Sequence, residues 1–204
     1  MSLEVDHVVI SVGDLESASE TLVNDHGLVS NPGGRHAGHG TANHIVPLGS
    51  SYLELVSVVD EKEAVSSSFG SWVLARMSDE LAPHALCLRT DDIDSVCRRL
   101  DLEAAAMSRV TPDGVELSWW LAGMESMISA GLPFFIEWDI DPANHPARSN
   151  LSQAGGATSV QVQMSGDRDV LGSWMPDASG VTVQSGETGL KSVLVAFGDV
   201  EVHI

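Results

Sequence analysis

Basic residues are scarce in this chain: ten Lys and Arg stand against 29 Asp and Glu, a formal charge of −19 over 204 residues. With no basic patch to displace the counterions of a phosphate backbone, the composition argues against nucleic acid as a partner. Long apolar runs are missing too, and nothing approaches the roughly 20 residues that a membrane span needs. The N-terminal residues 1–6 carry neither the basic nor the apolar region of a secretory signal, so a cytoplasmic location is expected. Cysteine is limited to Cys87 and Cys97. Two thiols cannot build a disulfide framework, and their spacing is not that of a zinc site, so buried thiols in a reducing compartment are the expectation. Aromatic residues make up only 5%, which leaves the core to Val, Leu, Ile and Ala. The apolar fraction of 43% is nevertheless ample for a globular chain of this length.

What the chain does contain is internal repetition. Residues 3–12 alternate as a strand, with His7 and Val9 on the face opposite Val8 and Ile10. Asp14 then reads as an N-cap, Leu15, Ala18 and Leu22 follow at helical spacing, and Gly27 closes the helix. A short strand at 28–30 and a loop rich in glycine and histidine, residues 31–40, lead to two antiparallel strands, 41–48 and 52–58, turning at Gly49-Ser50. The order is β-α-β-β-β. It restarts at His84, with Asp92 as cap, Ile93, Val96, Cys97 and Leu100 on one helix face, and a turn at Pro112-Asp113-Gly114. A Met-, Gly- and Ser-containing loop, 122–131, precedes the last strand and is placed to cover a pocket. A compressed third copy runs from residue 157 to the end. The predicted organisation is therefore a first βαβββ module at 1–58, a connector at 59–81, a second module at 82–146 and a βαβββ-like unit at 157–204. The fold class is α+β, with paired modules forming a curved sheet that encloses a cleft. The third unit can pack back on the first two or pair with a second copy to make a homodimer.

The repeats align chemistry as well as elements. His7 opens the first strand of one module and His84 that of the other; Glu54 and Glu137 sit among apolar neighbours on the last strands. A carboxylate in such surroundings needs a cation, a donor or a proton. An imidazole and a carboxylate from each half suit a divalent ion such as Zn, Ni, Co, Mn or Fe, and ligand type alone does not choose among them. Salt bridges to Arg35 or Arg89 are the structural alternative for the two glutamates. His84 lies one residue farther from Asp92 than His7 does from Asp14, so strict register puts Ala85 in the cleft unless a bulge, or Asp91 as the true cap, restores it.

Three segments carry a family resemblance: Asp6-His7-Val8-Val9-Ile10; Gly33-Gly34-Arg35-His36 through Val46-Pro47-Leu48-Gly49 to Tyr52-Leu53-Glu54-Leu55; and Leu132-Pro133-Phe134-Phe135-Ile136-Glu137-Trp138 with His145-Pro146. Together they resemble the bacterial glyoxalase-like domain proteins of the vicinal oxygen chelate superfamily. The resemblance spans roughly residues 3–146 and implies a metal-dependent lyase or isomerase acting on a small oxygen-rich metabolite. Its metal ligands would be His7, Glu54, His84 and Glu137, with Glu54 or Glu137 moving a proton. Arg35, His36, Asn43 and Trp120 are the candidates for substrate contact. A metal-free small-molecule binding protein on the same fold, of the antibiotic-sequestering type, is the alternative; an extradiol dioxygenase would need two histidines and one carboxylate on iron.

Overall fold

The computed structural model describes residues 2–111, 114–148 and 157–204. Its first elements are β1 (Leu3–Ser11), α1 (Leu15–His26), β2 (Asn31–His36), β3 (Thr41–Pro47) and β4 (Tyr52–Val58). Their ends follow from local chemistry. The Asp14 carboxylate accepts from the Ser17 amide at the start of α1, and Gly27 ends it in the left-handed conformation at φ 67°. Two short helices, α2 (Glu61–Ala64) and α3 (Ser68–Leu74), fill the connector. The order then repeats as β5 (Ala85–Thr90), α4 (Ile93–Leu100), β6 (Ala104–Val110), β7 (Glu116–Ala122) and β8 (Phe134–Trp138). The expected turn at 112–114 lies mostly outside the described residues. Between β7 and β8 the expected loop is largely a helix, α5 (Met124–Ala130), set between Gly123 and Gly131 in left-handed conformations. Met127 is buried and holds it against the sheet.

The eight strands form one sheet in the order β2-β3-β4-β1-β5-β8-β7-β6. The halves meet where β1 and β5 pair antiparallel, each being parallel to the last strand of its own half. The sheet curves until its two edge strands approach, and the Arg109 guanidinium on β6 donates to the Gly33 carbonyl on β2. Side-chain alternation then divides the apolar residues into two cores. Val8, Ile10, Leu53, Leu55, Leu88 and Phe135 face outward, onto α1 and α4. Val9, Val56, Ala85, Cys87, Phe134 and Ile136 face inward and are covered by Trp72 and Val73 of α3 and Met127 of α5.

The C-terminal unit comprises β9 (Ser159–Ser165), α6 (Arg168–Trp174), β10 (Val181–Gln184), β11 (Gly189–Phe197) and β12 (Val200–His203). It keeps the element order of the modules but not their pairing. Its sheet runs β10-β9-β11-β12, with β9 between its neighbours, whereas β1 lies beyond β4 in the first half. The unit packs back on its own chain: Val162, Met164, Leu171, Val193 and Val195 join the outer core. Among the described residues no helix is long and apolar enough to cross a membrane.

Gly40 ties the connector to the sheet. It sits at φ 64°, and a Cβ there would lie 2.3 Å from the Asp60 carbonyl oxygen and 2.4 Å from the Ala64 amide nitrogen. Gly40→Ala is expected to cost at least about 2 kcal/mol and to lower Tm by about 4–8 °C in a thermal melt. A melt within 1–2 °C of the parent would refute this packing.

Candidate functional site

The sheet interior is organised by one residue beyond the expected strand pattern. Val5 and His7 of β1 are opposed by the adjacent residues Leu88 and Cys87 of β5, so Asp6 is an inserted residue, a β-bulge. Because Val5 and Val8 both face the outer core, the two residues between them, Asp6 and His7, both turn inward. A fully buried carboxylate results, and four side chains satisfy it. Asp6 Oδ1 lies 2.7 Å from His7 Nδ1; Oδ2 accepts from Trp138 Nε1 at 3.0 Å and lies 3.0 Å from His145 Nε2. Arg89 Nη1 approaches to 3.7 Å. Burial alone would raise the Asp6 carboxyl, but the hydrogen bonds and charges of His145 and His7 outweigh it and hold the group well below the usual carboxylate range.

This hub orients two imidazoles. His145 Nδ1 accepts from the Ala147 amide at 3.2 Å, so its proton sits on Nε2 and points at Asp6. The His7 ring stacks on Tyr52 at 4.6 Å with Phe134 at its edge, and its Nδ1 proton is committed to Asp6. His7 Nε2 is thereby directed at Glu54 Oε2, 3.5 Å away. The other carboxylate oxygen, Oε1, accepts from Asn43 Nδ2 at 2.5 Å and lies 3.5 Å from His36 Nε2. His36 is itself held through Nδ1 by Thr41 Oγ1 at 2.9 Å. Burial would raise the Glu54 carboxyl, but His36, His7 and the Asn43 amide hold it down at about 2. It is therefore an anion at neutral pH.

Of the residues singled out in the sequence, the structure brings His7, Glu54, His36 and Asn43 together. The other four lie elsewhere. His84 precedes β5, where its Nδ1 accepts from the Ser11 amide and its ring meets the edge of Trp72. Glu137 faces outward, between the inward Ile136 and Trp138, and accepts from the Ile93 amide at 2.7 Å at the start of α4. Trp120 is its cross-strand partner on that outer face, while Trp119 turns inward against Trp138. Arg35 points outward to Glu63 at 2.5 Å and Asp60 at 3.5 Å. Register is the common cause in the second half. Asp92 is the cap of α4, accepting from the Ser95 amide, and the bulge falls in β1 rather than β5. With Asp14 and Asp92 equivalent, His7 matches Ala85, and the Val9–Glu54 pair matches Cys87–Phe134. The second half thus lines the interior with apolar residues.

The residue missed by pattern reading is Asp6, whose strand position looked outward. The one available signal was the adjacent Asp-His pair ahead of a downstream His145. Asp6, His7 and Cys87 bring three ligating atoms within 4.8 Å of one another. Burial and the two nearby carboxylates push the Cys87 thiol well above its usual range, and the Asp6 oxygens are already occupied by donors, so this cluster is a hydrogen-bonded support.

Paired βαβββ halves around a buried polar cluster define a glyoxalase-like fold. Residues 5–175 match the family described as the glyoxalase-like domain, and the chain belongs to that family. Among solved structures, a hypothetical protein from Staphylococcus aureus is similar over 93% of this chain and 88% of its own, with TM-score 0.67 and 17% identity. A hypothetical protein from Bacillus halodurans covers 71% of this chain and 100% of its own at TM-score 0.50 and 15% identity. Methylmalonyl-CoA epimerase from Mycobacterium tuberculosis gives TM-score 0.47 and 19% identity over 68% of this chain and 88% of its own. No curated protein sequence matches the chain.

Two outcomes follow from the buried carboxylates. Asp6→Asn removes the charge while leaving three ring N–H donors around it, and is expected to cost about 3–5 kcal/mol in urea unfolding; a loss below about 1 kcal/mol would refute the hub. Glu54 is depressed in the fold, so its contribution, about 3 kcal/mol, is fully present above pH 5 and is lost as pH falls from 4.5 towards about 2. Glu54→Gln should accordingly lower the urea midpoint at pH 7 and flatten its decline between pH 5 and 3.

Proposed function

We propose that the chain is a lyase or isomerase of the glyoxalase-like type, acting on a small oxygen-rich metabolite inside the curved sheet at His7, His36 and Glu54. One observation carries the reading: two independently braced imidazoles direct Nε2 at opposite oxygens of one ionised, buried carboxylate. A lone pair facing a carboxylate is repulsive, so the His7–Glu54 gap calls for a proton or a cation between them.

His7 and Glu54 fit a divalent ion as two of its ligands. Two ligands each about 2.1 Å from a common ion, at tetrahedral angles, lie about 3.4 Å apart, close to the 3.5 Å spacing here. Asp6 behind His7, Thr41 behind His36 and Asn43 on Glu54 supply the outer support that metal-bound side chains require. His7 Nε2 and Glu54 Oε2 would hold the ion, while His36 faces the other Glu54 oxygen and does not group with them as a third ligand; a bound ion would polarise a substrate carbonyl or vicinal oxygens. Held at about 2, Glu54 is a ready cation ligand and a weak base at neutral pH. Proton transfer therefore falls to His36 Nε2, which faces the other Glu54 oxygen. His84 and Glu137 have no part in this scheme, being committed to Ser11 and to the start of α4.

A second reading, metal-free capture of a small molecule, is favoured by the apolar second half of the interior: Ala85, Cys87, Phe134 and Ile136 beside Trp119 and Trp138. Elemental mass spectrometry of untagged protein separates the two. The enzyme reading predicts about one equivalent of divalent metal, lost in Glu54→Ala and kept in Glu137→Gln, which should forfeit only about 1 kcal/mol of helix capping. Absence of metal from the parent, even after reconstitution with each candidate ion, together with tight binding of an aromatic compound, would establish capture instead.

A further inference from the structure

Arg109 is a cation without a visible anionic partner. It is half-buried on β6, opposite Leu117, and one N–H donates to the Gly33 carbonyl across the seam between the edge strands. Among the described residues no carboxylate lies within 4 Å of it. Arg76, Arg98 and Arg99 share that, but they are held by backbone carbonyls on the outside of the fold or over Trp72, whereas Arg109 stands on the inner face of the sheet. A seam clamp needs one neutral donor, and a guanidinium offers five, each costly to desolvate unpaired.

Its surroundings place it at the polar end of the interior. Gly34, at φ 143°, leaves open the space beside Nη1, where a Cβ would lie 3.6 Å away. Gly33 carries the carbonyl that Arg109 holds, and its missing side chain makes room for the Asn43 amide, the donor to Glu54. Asn43 Oδ1 is buried with no hydrogen-bond partner. The Arg109 charge is felt at Tyr52, which stacks on His7. The guanidinium and the unpaired amide oxygen thus both lie against Gly33, and the same Asn43 amide leads on to the carboxylate and its two imidazoles.

We propose that Arg109 anchors an oxyanion, a carboxylate or phosphate, on the small molecule bound beside Glu54. The inference rests on reading the sheet interior as the ligand site and holds whether or not a metal is bound there. A guanidinium pairs with such groups through two parallel N–H donors, which fixes orientation as well as charge. It also answers the repulsion that a chain of net charge −19 exerts on an anion. The ligand is then bipolar: its anion sits at the seam, and its carbonyl or hydroxyl oxygens face His7, His36 and Glu54.

The test is calorimetric titration of the purified full chain, before and after chelator treatment, with inorganic phosphate, with pyruvate, and with hydroxyacetone as the uncharged counterpart. One of the two anions is expected to bind at one site and hydroxyacetone at least tenfold more weakly; which anion binds identifies the group. Arg109→Gln keeps a donor for Gly33 and should weaken anion binding at least tenfold with Tm little changed. If that variant fails to fold, Arg109→Lys retains charge and a donor without the planar fork, and a several-fold loss is expected. Anion binding that survives chelation and Glu54→Ala but is lost at Arg109 upholds the proposal even where the metal reading fails. Binding of neither anion to the parent, or undiminished binding by the folded Arg109 variant, overturns it.

Discussion

The Asp6 carboxylate is the interaction on which the interior depends. A buried charge is tolerated only when its lone pairs are taken, and here donors come from β1, from β8, from the segment after β8 and, at longer range, from Arg89 of β5. The bulge that inserts Asp6 also turns His7 inward, and the hydrogen bond between them selects which His7 nitrogen faces Glu54. One inserted residue therefore sets strand geometry, imidazole tautomer and the position of the 142–148 segment together.

The two halves of the sheet are similar in backbone and unlike in chemistry. The first half supplies Asp6, His7, His36, Asn43 and Glu54 to the interior, the second chiefly Ala85, Cys87, Phe134 and Ile136. The interior built this way has a polar wall and an apolar wall, with Arg109 at the seam where the edge strands close. Such a division suits a ligand with one charged or oxygen-rich end and one apolar end. The covering helices α3 and α5 pack Trp72, Val73 and Met127 on the apolar side, so water is kept from the region where desolvation strengthens every charge–charge contact.

Several of the polar residues singled out in the sequence serve structure instead. Glu137 satisfies an amide at the start of α4, His84 ties the end of β1 to the approach of β5, and Arg35 pairs with the connector at Glu63. His84 and Glu137 are the same residue types as His7 and Glu54 but lie one and three residues away from the positions that match them in the repeat. Residue type and approximate spacing do not separate a ligand from a cap when alternation reverses the face at every step.

Fold class, element order, the caps at Asp14 and Asp92 and the inward direction of Glu54 were legible from the chain alone, because they rest on local chemistry and on periods of 2 and 3.6 residues. The pairing order of the last unit was not, since β9 can lie beside β10 or beyond β12 with the same sequence pattern. Nor was the membership of the site. A bulge in β1 and none in β5 shifts which residues face inward, and bulges arise from pairing between strands some 80 residues apart. His7 and Glu54 could be named from sequence; that Asp6 supports them, His36 and Asn43 complete them and Arg109 borders them was decided by closure of the sheet. The physical reason is that side-chain direction is a local property, whereas a buried charge finds its partners only when distant strands are brought into register.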